Sequence, residues 1–304
     1  MLNVFLKKGR EGPIVRGHPW IFSGAIEKTD DSDSAVADVL DHRGNWLARG
    51  LYNPKSQIRV RVLTWEKEAI DSSFFSRRLT QAAALREKLV SPSADSYRLV
   101  NGEGDLLPGL IVDRYGEFLV CQFFTAGIDG LKGLVVEALM NLFKPRGIYD
   151  RSEGGVRDEE GLPPSVGVLA GEEPPESVRI QENGIKFLVD LRQGQKTGFF
   201  LDQRDNRALL ASLAPAMTVL NCFAYTGGFA AYALKGGAKR VVSIESSRPA
   251  LDLARQSFDL NGFSIDAGDL LRADAFAYLK NSTDLFDIVV VRSEERRVGK
   301  ECRL

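Results

Sequence analysis

Residues 219–229 constrain the fold of this chain more than any other stretch. They read Val-Leu-Asn-Cys-Phe-Ala-Tyr-Thr-Gly-Gly-Phe: a short apolar run meets a turn of small residues and passes at once into a helical pattern. A strand that turns through glycines into a helix belongs to a parallel α/β layer. The surrounding pattern agrees, with helices expected at 203–213, 229–235 and 248–261 and buried strands at 218–221, 240–244 and 286–291. Strand–helix–strand repeats at this spacing require right-handed crossovers, so a Rossmann-like sheet is predicted. Ligands of such sheets bind at the carboxyl ends of the strands.

Three positions at consecutive strand ends are chemically suited to one ligand. Gly227 and Gly228 lack a Cβ, which would let the backbone approach the ligand closely. Glu245, at the end of the next strand, can accept from both hydroxyls of a ribose. Asp274, followed by Ala275 after the third strand near 269–272, can accept from an adenine amino group. Neither rival phosphate motif is present: no Gly-x-Gly-x-x-Gly and no Gly-Lys-Ser/Thr follows the strand. An adenosine-containing cofactor is therefore expected, against the plainer alternative of an α/β core with acidic turns.

The first 70 residues differ in kind. Short runs rich in β-branched and aromatic residues at 36–40, 46–51 and 57–65, separated by Asp-His-Arg-Gly and Asn-Pro-Lys-Ser, predict a small β domain. In the last run Ile58, Val60 and Val62 share one face and Arg59 and Arg61 the other, a basic stripe toward water or a ligand. Residues 1–80 hold 13 Lys and Arg against 10 Asp and Glu, although the whole chain carries a net charge of −1. That excess fits either a phosphate-contacting patch or an ordinary solvated surface.

A helix over 72–89, capped by Ser72 or Ser73 with Phe75, Leu79, Ala82, Ala83 and Leu85 as its apolar positions, opens a second α+β unit. Strands at 110–112 and 118–123 and a helix at 131–143 follow. Residues 151–177, rich in Gly and Pro, are expected to form a long irregular segment. No apolar run approaches the roughly 20 residues of a membrane helix, and the N-terminus has no signal-peptide pattern. Three scattered cysteines and two histidines show no metal-ligand spacing, so no metal is expected and a reducing cytoplasm is.

Several stretches together resemble one family. The 221–229 turn, Ser-Ile-Glu-Ser-Ser at 243–247, Asn-Gly-Phe at 261–263 and Ala-Asp-Ala-Phe at 273–276 look like class I methyltransferase motifs. They are most similar to the large-subunit rRNA methyltransferase I family, which modifies cytosine C5 of 23S rRNA. The stretch 194–204, ending Phe-Phe-Leu-Asp-Gln-Arg, resembles that family's segment ahead of the cofactor strand. Glu103 to Asp105, the Leu-Pro-Gly-Leu at 107–110 and residues 112–116 resemble its central domain. Residues 8–10 and 17–24 resemble its N-terminal PUA domain, a small RNA-binding barrel. The resemblance covers residues 1 to about 291.

It implies three domains, a PUA-like β-barrel (1–70), a central α+β domain (71–190) and a truncated Rossmann-like methyltransferase domain (191–291). The cofactor would be S-adenosyl-L-methionine, held by Asp202, Gln203, Asn221, Phe223, Thr226, Gly227, Gly228, Glu245, Ser246, Asp274 and Ala275. The partner would be ribosomal RNA, met by Lys8, Arg10, Arg16, Arg59, Arg61, Lys196 and Arg204. A homodimer is left open. Trp20 and Phe22 are expected in the barrel core rather than stacked on bases, Cys222 as packing, and His18 as a turn support.

Methylation at cytosine C5 needs a thiolate that adds to C6 and a base that later removes the C5 proton, on an unstacked base. In the resembled family an Asp-Pro-Pro motif follows the fourth strand and the catalytic cysteine comes later. Here Val291 runs into Arg292 and a tail, 292–304, that resembles a translated sequencing adapter. The tail is expected to be non-native, Cys302 is not the expected nucleophile, and no catalytic residue is assigned. With four strands of a seven-stranded plan, the last would be an apolar edge, and a poorly behaved, inactive protein is expected. Two rivals keep part of this reading: a methyltransferase of another base or an amine, and a non-catalytic RNA-binding protein.

Overall fold

The computed structural model describes residues 2–30 and 35–293, which separate into two compact units. The first comprises the chain up to Pro92 with Ser96–Pro175, the second Ser93–Asp95 with the chain from Glu176.

The first unit opens with a six-stranded sheet of β1 (Leu2–Leu6), β2 (Trp20–Phe22), β3 (Ile26–Thr29), β4 (Val36–Leu40), β5 (Trp46–Tyr52) and β6 (Ile58–Thr64). Its order is β2-β6-β5-β4-β1-β3, with the one-turn helix α1 (Gly12–Val15) between β1 and β2. The expected alternation in β6 buries Val60 and Val62, which join Leu2, Val4, Leu6, Ile21 and Val39 in one core.

Helix α2 (Ser72–Leu89) is capped by Asp71 rather than by Ser72 or Ser73. The Asp71 carboxylate accepts from the Phe74 amide at 3.0 Å, a stronger acceptor than a hydroxyl one position nearer. Phe74, Phe75, Leu79 and Ala82 are buried, but Leu85 is exposed, because the buried side of the last turn belongs to Arg86, whose guanidinium reaches Asp105 at 2.7 Å.

A five-stranded sheet, ordered β11-β10-β9-β8-β7, follows: β7 (Ser96–Asn101), β8 (Leu110–Tyr115), β9 (Phe118–Phe123), β10 (Gly147–Ser152) and β11 (Ser165–Gly171). Short α3 (Ala126–Gly130) and α4 (Lys132–Phe143) connect β9 to β10. The segment expected to be irregular holds the end of β10, α5 (Gly155–Glu160) and β11. Its Pro residues fall outside these elements, and β11 is held by an antiparallel ladder to β10 that no local pattern announces.

The second unit begins with a hairpin, β12 (Val178–Glu182) and β13 (Ile185–Val189). Then come α6 (Arg204–Leu213), β14 (Thr218–Cys222), α7 (Gly228–Lys235), β15 (Arg240–Glu245), α8 (Arg248–Leu260), β16 (Leu270–Arg272), α9 (Ala275–Asn281) and β17 (Ile288–Val291). The sheet order is β16-β15-β14-β17 and all three pairings are parallel, so four carboxyl ends open on one rim. Strand β17 is the apolar edge expected of the last of four strands, and not buried as its apolar run alone suggested: Val289 and Val291 are 49% and 57% exposed, because only β14 pairs with it among the described residues. Residues 294–304, including Cys302, lie outside the described residues.

Candidate cofactor site

A cavity of about 370 Å³ lies at that rim. Of the residues expected to hold a cofactor, Gln203, Asn221, Phe223, Thr226, Gly228, Glu245, Ser246 and Asp274 line it. The turn after β14 is conformationally costly: Phe223 and Tyr225 both adopt the left-handed region, at φ 55° and 48°, about 1–3 kcal/mol each for residues with a Cβ. Tyr225 is held there from both ends. Its amide donates to Glu245 Oε2 at 2.8 Å, and its hydroxyl accepts from the Gln195 amide at 2.9 Å and donates to Gly198 O at 3.0 Å.

Glu245 is almost fully buried, and besides Tyr225 it accepts from the Ser247 amide at 2.8 Å. Two amides orient the carboxylate and leave lone pairs for further donors. Asp274 uses Oδ1 to cap α9, accepting from the Ala277 amide at 2.7 Å, and lines the cavity. Asn221 and Thr226 are 1% and 0% exposed, yet Asn221 Nδ2 and Thr226 Oγ1 have no hydrogen-bond partner in the protein. Buried polar atoms without partners cost stability, and both residues line the cavity. Phe223 and Phe276, edge to face at 5.2 Å, add an apolar wall suited to a flat base.

The remaining expected residues sit differently. The missing Cβ of Gly227 points away from any ligand: it would come within 2.8 Å of Phe258 Cζ in α8, so that glycine serves helix packing. A Cβ on Gly228 would meet Arg207 and Phe199 at 3.2 Å. Gly228 itself lines the cavity, together with Arg207 and Phe199, whereas Gly227 is outside the lining. Ala275 is buried as the first residue of α9, outside the lining, and Asp202 is exposed beside it. The cavity also recruits Phe199, Phe200, Arg207, Phe276 and Arg292, none of which was expected. Only the Phe-Phe pair ahead of Asp202 carried a signal in sequence. Cys222 lines the cavity too, but burial pushes its thiol up, so it stays protonated and packs.

Among the expected RNA contacts, Lys8, Arg10 and Arg16 are exposed in the first unit and Lys196 in the second, and Arg59 is half-buried. Two are corrected. Arg61 is consumed by an ion pair to Glu160 at 3.0 Å, and Arg204 turns inward, 3.8 Å from the buried Glu182. Trp20 and Phe22 are not core: they are 36% and 50% exposed beside a groove shared with Arg10 and His18, because the three-residue β2 is an edge strand. His18 does support a turn, its Nδ1 accepting from the Trp20 amide at 3.1 Å. Among the described residues no cluster of His, Cys, Asp and Glu could hold a metal ion, and no helix is long and apolar enough to cross a membrane.

A family model described as a PUA-like domain matches residues 4–65, and one described as an S-adenosylmethionine-dependent methyltransferase matches residues 156–299. The ribosomal RNA large subunit methyltransferase I of Aliivibrio fischeri (strain MJ11) is 46% identical over 297 residues, covering 95% of this chain and 75% of that protein. The chain belongs to the ribosomal RNA large subunit methyltransferase I family. A second member, from Escherichia coli O139:H28, is 45% identical with the same coverage. A solved Streptococcus mutans structure described as a SAM-dependent methyltransferase superimposes with a TM-score of 0.80 at 25% identity, over 96% of this chain and 76% of that one. A methyltransferase structure described as complexed with SAH gives 0.82 at the same identity and coverage. In this large subunit methyltransferase I protein, the N-terminal sheet is thus PUA-like and the rim belongs to an S-adenosylmethionine-dependent Rossmann-like domain.

Proposed function

We propose that this chain supplies the cofactor and RNA binding of a 23S rRNA cytosine-C5 methyltransferase of the bacterial cytoplasm, and that as it stands it does not turn over. The observation that carries the cofactor part is the Glu245 carboxylate, oriented by the Tyr225 and Ser247 amides in a rim cavity that Asp274, Asn221 and Thr226 also line. In this reading Glu245 accepts from the ribose hydroxyls, Asp274 accepts from the adenine amino group, and Phe223 and Phe276 together wall one side of the base. Bound S-adenosylmethionine would supply an electrophilic methyl group.

The RNA part rests on the exposed Lys8, Arg10 and Arg16 and on the groove where Arg10 meets exposed Trp20 and Phe22, a combination of phosphate-binding charge and stacking surface. Residues 1–70, 71–190 and 191–291 would then divide the work as RNA-binding, central and cofactor-binding parts. The absence of turnover rests on chemistry. The sequence contains no Asp-Pro-Pro, Cys121 is fully buried with a thiol pushed well up by burial, and Cys222 is likewise protonated.

Calorimetry with S-adenosylhomocysteine, and mass spectrometry of 23S rRNA incubated with the chain and S-adenosylmethionine, test both halves. Binding without 5-methylcytosine is expected. No binding would sink the cofactor reading, and 5-methylcytosine would sink the claim of no turnover. A chimera carrying the Aliivibrio relative's C-terminal quarter after Val291 should form 5-methylcytosine; methyl on another base would refute the C5 assignment.

A further inference from the structure

We infer that Tyr225 is a positioning residue of the cofactor cavity, whose hydroxyl couples ribose binding at Glu245 to the placing of the 194–200 wall; the inference rests on the cofactor reading above. The two ends of Tyr225 touch two parts of the site. Its amide donates to Glu245 Oε2 at 2.8 Å, and its hydroxyl accepts from the Gln195 amide at 2.9 Å while donating to Gly198 O at 3.0 Å. Gln195, Phe199 and Phe200 line the same cavity as Glu245. One residue therefore bridges the carboxylate that accepts from the ribose and the segment that walls the ligand.

That segment is folded around the hydroxyl. The Gly198 amide donates to Gln195 O at 2.9 Å, closing a turn whose first amide and last carbonyl are the two groups the hydroxyl meets. Two glycines make the close approach possible. A Cβ on Gly194 would come within 2.7 Å of Tyr225 Oη, and Gly198 stands at φ 135°, where a Cβ would meet Leu191 Cδ2 at 2.7 Å. Tyr225 is 9% exposed, and its ring packs edge to face on Phe200 at 5.5 Å. A hydroxyl that both gives and takes a hydrogen bond in so buried a place fixes position as well as filling space. A ligand hydroxyl that bonds to Glu245 therefore steadies the carboxylate, the Tyr225 amide and the turn at 195–198 together. Linkage makes the effect mutual: the placed wall strengthens the ligand, and the ligand holds the wall by the same factor.

The test compares the whole wild-type chain with Tyr225→Phe, which keeps the ring on Phe200 and deletes the hydroxyl. Hydrogen exchange of the 194–200 amides is followed by mass spectrometry with and without S-adenosylhomocysteine, and affinity by calorimetry. In wild type the ligand is expected to slow exchange across 194–200 several-fold. In Tyr225→Phe affinity is expected to fall about three- to tenfold, the net worth of one buried hydrogen-bonded hydroxyl. The ligand should then no longer slow exchange at 194–200 while still slowing it at 243–247. Gly194→Ala crowds the hydroxyl from the segment's side and leaves the turn after β14 unaltered in sequence. It should reproduce both effects, and it decides the matter if Tyr225→Phe does not fold. A hydroxyl with a merely structural role would lower the melting temperature and leave the ligand's protection of 194–200 intact. That result, unchanged affinity in both variants, or a bound ligand that does not slow 194–200 in wild type overturns the inference and leaves the cofactor site standing. If wild type does not bind S-adenosylhomocysteine, the cofactor reading itself fails and takes the inference with it.

Discussion

Glu182 and Arg207 meet inside the second unit as a two-pronged ion pair, Nε to Oε1 and Nη2 to Oε2 each at 2.8 Å, with both side chains almost fully buried. The pair joins the end of β12 to α6. The same guanidinium donates through Nη1 to Phe200 O at 2.9 Å and lies 4.6 Å over the Phe199 ring. It thereby holds the segment that walls the cofactor cavity.

Breaking that pair from one side should be costly, because it strands a buried charge. Arg207→Met is expected to destabilise the second unit by about 3–5 kcal/mol. The double variant Arg207→Met with Glu182→Leu should recover most of the loss. Urea titrations of both variants followed by fluorescence check this. Equal losses in the single and double variants would show that the charge is not what matters.

The unpartnered atoms predict a trade of stability against binding. Thr226→Val removes a buried hydroxyl that has no partner, so the ligand-free protein should gain about 1 kcal/mol, as when an unsatisfied group is replaced by an apolar one of the same shape. Its affinity for S-adenosylhomocysteine should fall about tenfold. Thermal melts with and without ligand would show Tm rising in the first case and the ligand-induced shift shrinking in the second.

Glu160 predicts acid sensitivity in the first unit. Burial pushes its carboxyl up, but hydrogen bonds from Asn53 and Ser56 and the charge of Arg61 outweigh this and hold it below the ordinary glutamate value. A depressed carboxylate contributes stability that is full above its unfolded pKa of about 4.3 and is lost as pH falls through its folded value. Wild type should therefore lose stability below about pH 4.3 more steeply than Glu160→Gln. Denaturant midpoints measured from pH 7 down to pH 3 test it; parallel curves would exclude Glu160 as a source.

The exposed edge predicts self-association. Strand β17 presents Val289 and Val291 at the end of the sheet, the arrangement that natural edges blunt with lysine. Val289→Lys should reduce concentration-dependent light scattering several-fold. Unchanged scattering would move the liability elsewhere.

The α/β layer was legible because strand–turn–helix repeats are local and the loops between them are short. Residues 151–177 were not, because β11 exists through its ladder to β10, a pairing made across the chain. That Glu245 and Asp274 stand at the rim was legible because strand ends in a parallel sheet are predictable places. Arg207 and Arg292 were not: a charged side chain in an amphipathic helix or after a strand reads as solvent-facing until the packing around it is known. For the same reason Arg61 and Arg204 read as free cations, and only the fold supplied Glu160 and Glu182 to neutralise them.

By itself, then, the amino-acid order determined the class of the second unit, the strand ends that carry its acidic ligands and the family it belongs to, because those depend on periodicity and on motifs contiguous in the chain. Only the tertiary structure decided which polar groups are spent on the protein and which are left for a ligand. That division depends on distances between residues far apart in sequence: Tyr225 reaching Glu245 and Gly198, Arg207 reaching Glu182, while Asn221 Nδ2 and Thr226 Oγ1 find no partner in the protein. Burial makes each of those outcomes matter, since an unpaired polar group costs little in water and much inside.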